Sequence, residues 1–426
     1  MDINNLYDLF LSSEGVCTDT RKLKPGELYV ALKGENFNGN LFADKAIEAG
    51  AIAAIVDEPK FEGARKVLVP DSLKALQELA RFHRMQLEIP VIGLTGSNGK
   101  TTSKELVVSV LKEKFKVSYT QGNLNNHIGV PLSLLSIGPE AEIAVIEMGA
   151  NAQGEIEFLS SLSQPDIGFI TNYGKAHLEG FGGPEGVIKG KSELFENLRQ
   201  RNKMAWVNIQ DPIQIEKSKD IDQKRYGADE KADFPVYPIN EGSTFVQVQW
   251  QNLKIQSHLT GAYNFTNLAI AISLGAHFGL KPEEIKQGIE SYRPSNNRSQ
   301  MEDGQHNLLV KDYYNANPSS MEAALHNFNA LKEKPNSEKW VILGDMFELG
   351  PYEKAEHQRI AEQALASGYD KTILVGKAFA QTEGDPLKFE STTDLISWLE
   401  THLPKGKLIL VKGSRGMTLE KAADLL

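Results

Sequence analysis

Val91-Ile92-Gly93-Leu94-Thr95-Gly96-Ser97-Asn98-Gly99-Lys100-Thr101-Thr102-Ser103 is the stretch that decides how this chain reads. An apolar run suited to a buried strand enters a glycine-rich turn and leaves it through Lys-Thr-Thr. A helical pattern follows, with Leu106, Val107, Val110 and Leu111 on one stripe. Strand, glycine loop and helix in that order make a phosphate cradle. The glycines let backbone N–H groups turn inward, and the helix N-terminus adds positive potential. Thr95, Gly96, Ser97, Asn98, Gly99, Lys100, Thr101 and Thr102 are the expected nucleotide contacts. Lys100 is placed to reach the β- and γ-phosphates, and the Thr101 hydroxyl to hold Mg²⁺. The pattern departs from the general one at Leu94, where a glycine is usual. The competing reading is an ordinary Gly/Asn turn, which leaves Gly-Lys-Thr-Thr at the helix start unexplained.

Outward from this loop, apolar runs at 91–95, 143–147, 167–171 and 204–208 alternate with helical patterns, as in a doubly wound sheet. Residues 211–258 hold charged turns and alternating runs such as Thr244-Phe245-Val246-Gln247-Val248, which predicts a β-rich insertion. A helix is expected over about 264–278. Residues 1–88 read as a small α/β domain closed by a helix over 73–85, with Pro90 marking the boundary. Residues 89–298 form the central domain. A third α/β segment spans 299–426, with strands at 308–311, 340–343, 372–375 and 408–411.

The 426-residue length suits two or three domains, and 41% hydrophobic residues suit a soluble globular protein. A net charge of −10 argues against a general nucleic-acid binder, while leaving room for a basic cleft that takes a small anion. The single cysteine, Cys17, excludes an internal disulfide and fits a reducing cytoplasm; a half-buried structural role is expected for it. The opening Met1-Asp2-Ile3-Asn4-Asn5 has neither the basic nor the apolar region of a signal peptide. No apolar run is long enough to span a bilayer.

Several further positions carry chemistry. In Ala144-Val145-Ile146-Glu147-Met148-Gly149, an apolar strand ends in a carboxylate, where ligands of open α/β sheets bind. Glu147 is thus a candidate Mg²⁺ ligand, against the alternative of a solvated strand-end glutamate. His177 follows the strand at 167–171 and is a candidate only if that strand lies beside the other two. Lys191 lies on the helical stripe of Val187, Ile188, Leu194, Phe195 and Leu198, where a buried ammonium is costly. A neutral amine there could take up CO₂ as a carbamate; pattern alone favours a lysine snorkelling at the core edge. Asn264 and Asn267 could read an adenine edge, or Asn264 could cap its helix. Asp312 could bond ribose hydroxyls, or close an Asx turn.

TGSNGKTTS (95–103), GNLNNHIGVP (122–131), AVIEMGAN (144–151), AHLEGFG (176–182), KGKSELF (189–195), YNFTN (263–267), DYYNANPSS (312–320), GDMFELG (344–350) and VKGSRG (411–416) together resemble one family over nearly the whole chain. It is that of the Mur ligases, the ATP-dependent amide-forming enzymes of peptidoglycan synthesis. Tyr314-Asn315-Ala316-Asn317-Pro318 and 344–350 are similar to the branch that adds D-alanyl-D-alanine. The Asp-Asn-Pro-Arg signature of the branch adding the third amino acid is missing. The resemblance implies an α/β chain of three domains: a UDP-substrate domain, a central P-loop domain and a Rossmann-like C-terminal domain. It implies ATP, Mg²⁺ and a CO₂-derived carbamate on Lys191. Lys100, Glu147, His177 and Lys191 are the implied catalytic set, with Thr101, Glu147, His177 and the carbamate on the metal. Asn264, Asn267, Arg298 and Asp312 surround the nucleotide. Thr20, Arg21, Asn38, Asn40, Asn125, Asn126, Asn315, Asn317, Asp345 and Arg415 are the implied substrate contacts, although Thr20 and Asn38-Gly39-Asn40 depart from the family's usual residues. The implied partners are UDP-N-acetylmuramoyl-tripeptide and D-alanyl-D-alanine, bound by a cytoplasmic monomer whose third domain approaches the nucleotide about a hinge near residue 299. A folate polyglutamating ligase and a P-loop ATPase switch are the competing readings.

Overall fold

The computed structural model describes residues 2–239, 243–294, 297–331 and 338–426. Val91–Thr95 is buried along its whole length. Its sheet is covered on both faces, the condition under which a strand reads as a continuous apolar run. It lies between Ile143–Glu147 and Ile167–Ile170 in a seven-stranded parallel sheet. The remaining strands, outward from Ile167–Ile170, are Met204–Asn208, Gln223–Gly227 and Phe234–Pro235; Val117–Tyr119 closes the opposite edge. After Val91–Thr95 the chain runs out to Val117–Tyr119, returns through Ile143–Glu147, then crosses to Ile167–Ile170. That reversal opens a crevice at the carboxyl ends of the central strands, where ligands of such sheets sit.

The expected insertion over 211–258 divides in two. Gln223–Gly227 and Phe234–Pro235 continue the parallel sheet. Only Tyr237–Ile239, Phe245–Trp250 and Leu253–Thr260 make a separate antiparallel sheet. The charges of Lys224 and Arg225 disguised Gln223–Gly227, the strand second from the edge. Asp233 accepts from Lys224 Nζ and from the Arg225 backbone N–H, so the Lys224 charge is answered beside the edge.

The C-terminal unit is a six-stranded sheet in the order Gln300–Asp303, Leu308–Asp312, Leu408–Lys412, Lys339–Gly344, Lys371–Val375, Leu387–Phe389. Only its first strand is antiparallel. The N-terminal unit is a four-stranded parallel sheet of Val16–Cys17, Leu28–Val30, Ala53–Val56 and Lys66–Leu68. Among the described residues no helix is long and apolar enough to cross a membrane.

Helix Ser72–Gln86, capped by Asp71 through the Lys74 N–H, joins the first unit to the second. It packs on helices Gly129–Leu135 and Glu155–Ser163, and Leu76, Leu79 and Ala80 enter the same core as the central sheet. At its end the buried Arg84 guanidinium reaches the carbonyls of Ser163 and Gln164, both at 2.9 Å, and Asp166 Oδ2 at 2.8 Å. Arg84→Met strands those carbonyls and weakens the hold on Asp166. It is expected to cost about 3 kcal/mol, visible as a lowered Tm in calorimetry of the whole chain. An unchanged Tm would show the joint to be held by its apolar contacts alone.

Candidate active site

The phosphate loop turns because two of its residues are glycine. Gly96 has φ 148° and Gly99 has φ 78°, both in the region that favours glycine. A Cβ on Gly96 would come within 1.9 Å of Thr171 Oγ1, and one on Gly99 within 2.9 Å of Asn267 Oδ1. The neighbouring strand end pins the loop. Thr171 Oγ1 and Asn172 Nδ2 donate to the Asn98 carbonyl at 2.6 and 3.0 Å, and Asn172 Oδ1 accepts the Asn98 N–H at 3.1 Å. Helix Lys100–Leu111 starts there and faces a cleft of about 800 Å³. Lys100 Nζ donates to the carbonyls of Gly96 (2.7 Å) and Ser97 (3.3 Å). Burial pulls its ammonium down to about 8, partly opposed by Glu147 and aided by Arg298.

Glu147 ends its strand fully buried in the wall of this cleft. Its Oε1 accepts from Asn125 Nδ2 at 2.8 Å and from Thr101 Oγ1 at 3.3 Å. Its Oε2 is buried without a hydrogen-bond partner. Half of the carboxylate is therefore committed, and the other half is a hard, unsatisfied oxygen beside a phosphate cradle. Those donors fit Mg²⁺, which binds through one or two carboxylates plus substrate phosphates. Among the described residues no group of three or more His, Cys, Asp and Glu side chains is arranged around a metal position. A cation here would rest on Thr101, Glu147 and the nucleotide's own oxygens.

His177 lines the cleft in a left-handed conformation, φ 52°. Its Nδ1 is in close contact, without hydrogen-bond alignment, with the Glu348 carboxylate of the C-terminal unit. That contact lowers the Glu348 carboxyl below its usual range. Lys191 is 1% exposed, so it does not snorkel. Its Nζ donates to Ala150 O at 3.1 Å and lies 4.8 Å from the Phe181 ring centre. Gly186 and Gly190 on the same helix let Phe181 close over the amine: a Cβ on Gly190 would sit 2.4 Å from that ring. Burial pushes the Lys191 ammonium well below its ordinary range, and the charge of Lys100 adds to the effect. Thr101 and Glu147 are thus in contact, while the His177 and Lys191 nitrogens are turned to other partners.

Asn264 and Asn267 reach the cleft wall with their amides turned on each other. Asn267 Nδ2 donates to Asn264 Oδ1 (2.8 Å), Asn264 Nδ2 to Thr260 O (2.7 Å), and Ser103 Oγ to Asn267 Oδ1 (2.8 Å). The chain of bonds buttresses the helix behind the phosphate loop. Asp312 accepts from Lys412 Nζ at 2.7 Å and from the Ser299 N–H at 3.1 Å. The Arg298 guanidinium stacks 3.7 Å from the Tyr314 ring centre, with Arg415 5.4 Å from the same ring. Arg298 Nε is buried without a hydrogen-bond partner.

The C-terminal unit rests on the phosphate loop. Asn317, which caps helix Pro318–Ala330 through the Ser320 N–H, also donates through Nδ2 to Asn98 Oδ1 at 2.6 Å. Lys175 adds a backbone N–H to Ser319 Oγ (2.9 Å) and an ion pair to Glu356 (2.6 Å). Asn315 is exposed, its Oδ1 taking the Ala316 N–H.

Other anticipated contact residues are tied into the fold around them. Asp345 lies outside the residues lining the cleft; its carboxylate accepts the N–H groups of Ala378 (3.0 Å) and Phe379 (2.9 Å), capping helix Lys377–Ala380. Asn126 lines the cleft, its Oδ1 accepting the N–H groups of Ile128 and Gly129. Asn40 is buried and bonds Asp57 twice, while Asn38 donates to Glu58. Arg21 is exposed and paired with Asp19 in the same turn as Thr20. These four first-unit residues do not line the cleft. Sequence reasoning passed over Asn172, Lys412 and Lys104. Lys104 carried a signal, since it precedes Val107 and Val108 by three and four residues on a buried face.

Family models match this architecture unit by unit. The Mur ligase family catalytic domain matches residues 13–84, the Mur ligase middle domain 94–275, and the Mur ligase glutamate ligase domain 297–415. The chain belongs to the Mur ligase family. Within the family, it is 36% identical over 423 residues to the UDP-N-acetylmuramoyl-tripeptide–D-alanyl-D-alanine ligase of Bacillus subtilis (strain 168), covering 96% of this chain and 92% of that one. It is also similar to the solved structure of MurF from Acinetobacter baumannii, with a TM-score of 0.85 and 30% identity over 98% of this chain and 97% of that one. The MurF ligase of Thermotoga maritima, solved in complex with ADP, gives a TM-score of 0.84 at 27% identity with the same coverage.

Proposed function

We propose that this chain joins D-alanyl-D-alanine to the terminal carboxylate of UDP-N-acetylmuramoyl-tripeptide at the cost of ATP, in peptidoglycan precursor synthesis. The observation that carries this reading is the full-length similarity to ligases named for that reaction. The cleft supplies the matching geometry, because a phosphate loop meets a second α/β unit across it.

In this reading the tripeptide carboxylate attacks the γ-phosphorus of ATP, and ADP leaves. The resulting acyl phosphate is attacked by the dipeptide amine, and inorganic phosphate leaves as the amide forms. The chain's work is positioning and charge neutralisation. Lys100 and the inward N–H groups of the loop hold the phosphates, and Arg298 adds a second cation from the domain junction. Thr101 and Glu147 would hold Mg²⁺, whose charge offsets that on the transferring phosphoryl group. A depressed, neutral Lys191 amine is a nucleophile for CO₂. The carbamate, formed with loss of one proton, would complete that ligand set together with His177. The cytoplasm is the compartment this reading assigns.

The test is amide product by mass spectrometry, with ATP, UDP-N-acetylmuramoyl-tripeptide and a panel of acceptors. D-alanyl-D-alanine should be used far better than L-alanyl-L-alanine or any single amino acid, because in-line attack needs fixed stereochemistry and a fixed far carboxylate. Ligation of lysine or diaminopimelate to the UDP-dipeptide, with no product from D-alanyl-D-alanine, would move the chain to the branch adding the third amino acid. Phosphate release without any acceptor dependence would make it an ATPase.

A further inference from the structure

Lys104 lies one turn into helix Lys100–Leu111 and is 1% exposed. A lysine so deep is costly unless its charge is answered. Its Nζ donates to the Thr120 carbonyl at 2.8 Å and stands 3.9 Å from Glu147 Oε2. That oxygen is the one without a hydrogen-bond partner. Thr120 also ties the pair together, since its Oγ1 accepts the Glu147 N–H at 3.0 Å. Among the described residues, Lys104 is the cation within ion-pair distance of this carboxylate.

We propose that Lys104 is the resident counter-ion of Glu147 and makes the metal site selective for a cation that arrives with nucleotide. The inference rests on the reading of Glu147 as a Mg²⁺ ligand. A Lys–Glu pair presents a free dication with no net charge to attract it, and with a like charge close behind the carboxylate. A nucleotide brings its own negative oxygens, which tip the balance toward binding. Lys104 therefore acts through Glu147 as a positioning residue: it holds the carboxylate in place before substrate arrives, and it keeps bare cations out.

The test measures Mn²⁺ binding by electron paramagnetic resonance in the absence of nucleotide, and Tm with and without Mg²⁺. In Lys104→Met the apolar stem is kept and the charge is lost, so a dication becomes the substitute counter-ion. Nucleotide-free Mn²⁺ should bind about tenfold or more tighter than to the unaltered chain, the size of effect expected from a charge at this range. The variant should melt lower, and added Mg²⁺ should restore its Tm. Lys104→Arg, which keeps the charge, should bind free Mn²⁺ as weakly as the parent. Lys104→Met combined with Glu147→Gln should lose both the tighter binding and the Mg²⁺ rescue. If Lys104→Met does not accumulate folded, Lys104→Gln carries the same comparison. Unchanged free Mn²⁺ affinity together with a Tm loss indifferent to Mg²⁺ would reduce Lys104 to a packing residue and overturn the proposal. Failure of the underlying reading shows separately: Mn²⁺–ATP binding that Glu147→Gln leaves intact would remove Glu147 from the metal site whatever Lys104 does.

Discussion

Lys100→Ala is expected to lower turnover by about 10²–10³-fold with the fold intact, the usual cost of removing one electrostatic contact to developing charge. The side chain stands at the first position of its helix and bonds only carbonyls of its own loop, those of Gly96 and Ser97. Burial already disfavours its ammonium, so alanine relieves a cost as well as removing two hydrogen bonds. The Tm should therefore move little while phosphate release, measured with both substrates present, collapses. Near-normal turnover would remove Lys100 from the phosphoryl transfer and the loop from the active site.

The second large effect concerns Lys191. Its amine is sealed between Ala150 O and the Phe181 ring, far from water and well below its ordinary basicity. Burial favours the uncharged form of such an amine, the form able to add to the carbon of CO₂. Lys191→Ala is expected to lose about 10²-fold or more in turnover, as for the loss of a group that orders charge at a reacting phosphate. Alanine also leaves a cavity, so a second arm leaves the sequence untouched. Rigorous removal of CO₂ should suppress activity reversibly, and intact mass or electron density under CO₂ should reveal an added carboxyl group. Full activity after CO₂ removal would show that the carbamate is not required.

The central and C-terminal α/β units were legible because their inner strands are long, apolar and largely buried. Val91–Thr95, Ile143–Glu147 and Lys339–Gly344 need no partner to be recognised. Two-residue strands such as Val16–Cys17 and Phe234–Pro235 have too little length for any period. Gln223–Gly227 was hidden by the charges of Lys224 and Arg225, at the end of the strand that the short edge strand Phe234–Pro235 leaves unpaired. In the site, Gly96, Gly99 and Glu147 could be read because loop chemistry and strand ends dictate their places. The depth of Lys191 was half legible: the stripe placed it toward the core, but only the two glycines and Phe181 reveal that its whole amine is enclosed. Lys104 shares that stripe logic and was overlooked amid the polar residues of the loop. Asp345 reads as a site residue in a glycine-rich motif, yet its partners are backbone N–H groups thirty-odd positions onward, which no local pattern discloses.

Asn98 is held by Asn172 through its backbone and reaches Asn317 with its side chain. The loop that receives phosphate is also the landing point of the unit that would bring the second substrate, so one residue is answerable to both arrivals. The same Asn317 side chain caps helix Pro318–Ala330, so the loop and that helix share one hydrogen-bonded residue. The Asn98–Asn317 amide pair, beside the Lys175 contacts to Ser319 and Glu356, thus joins the place of the nucleotide to the docking of the C-terminal unit.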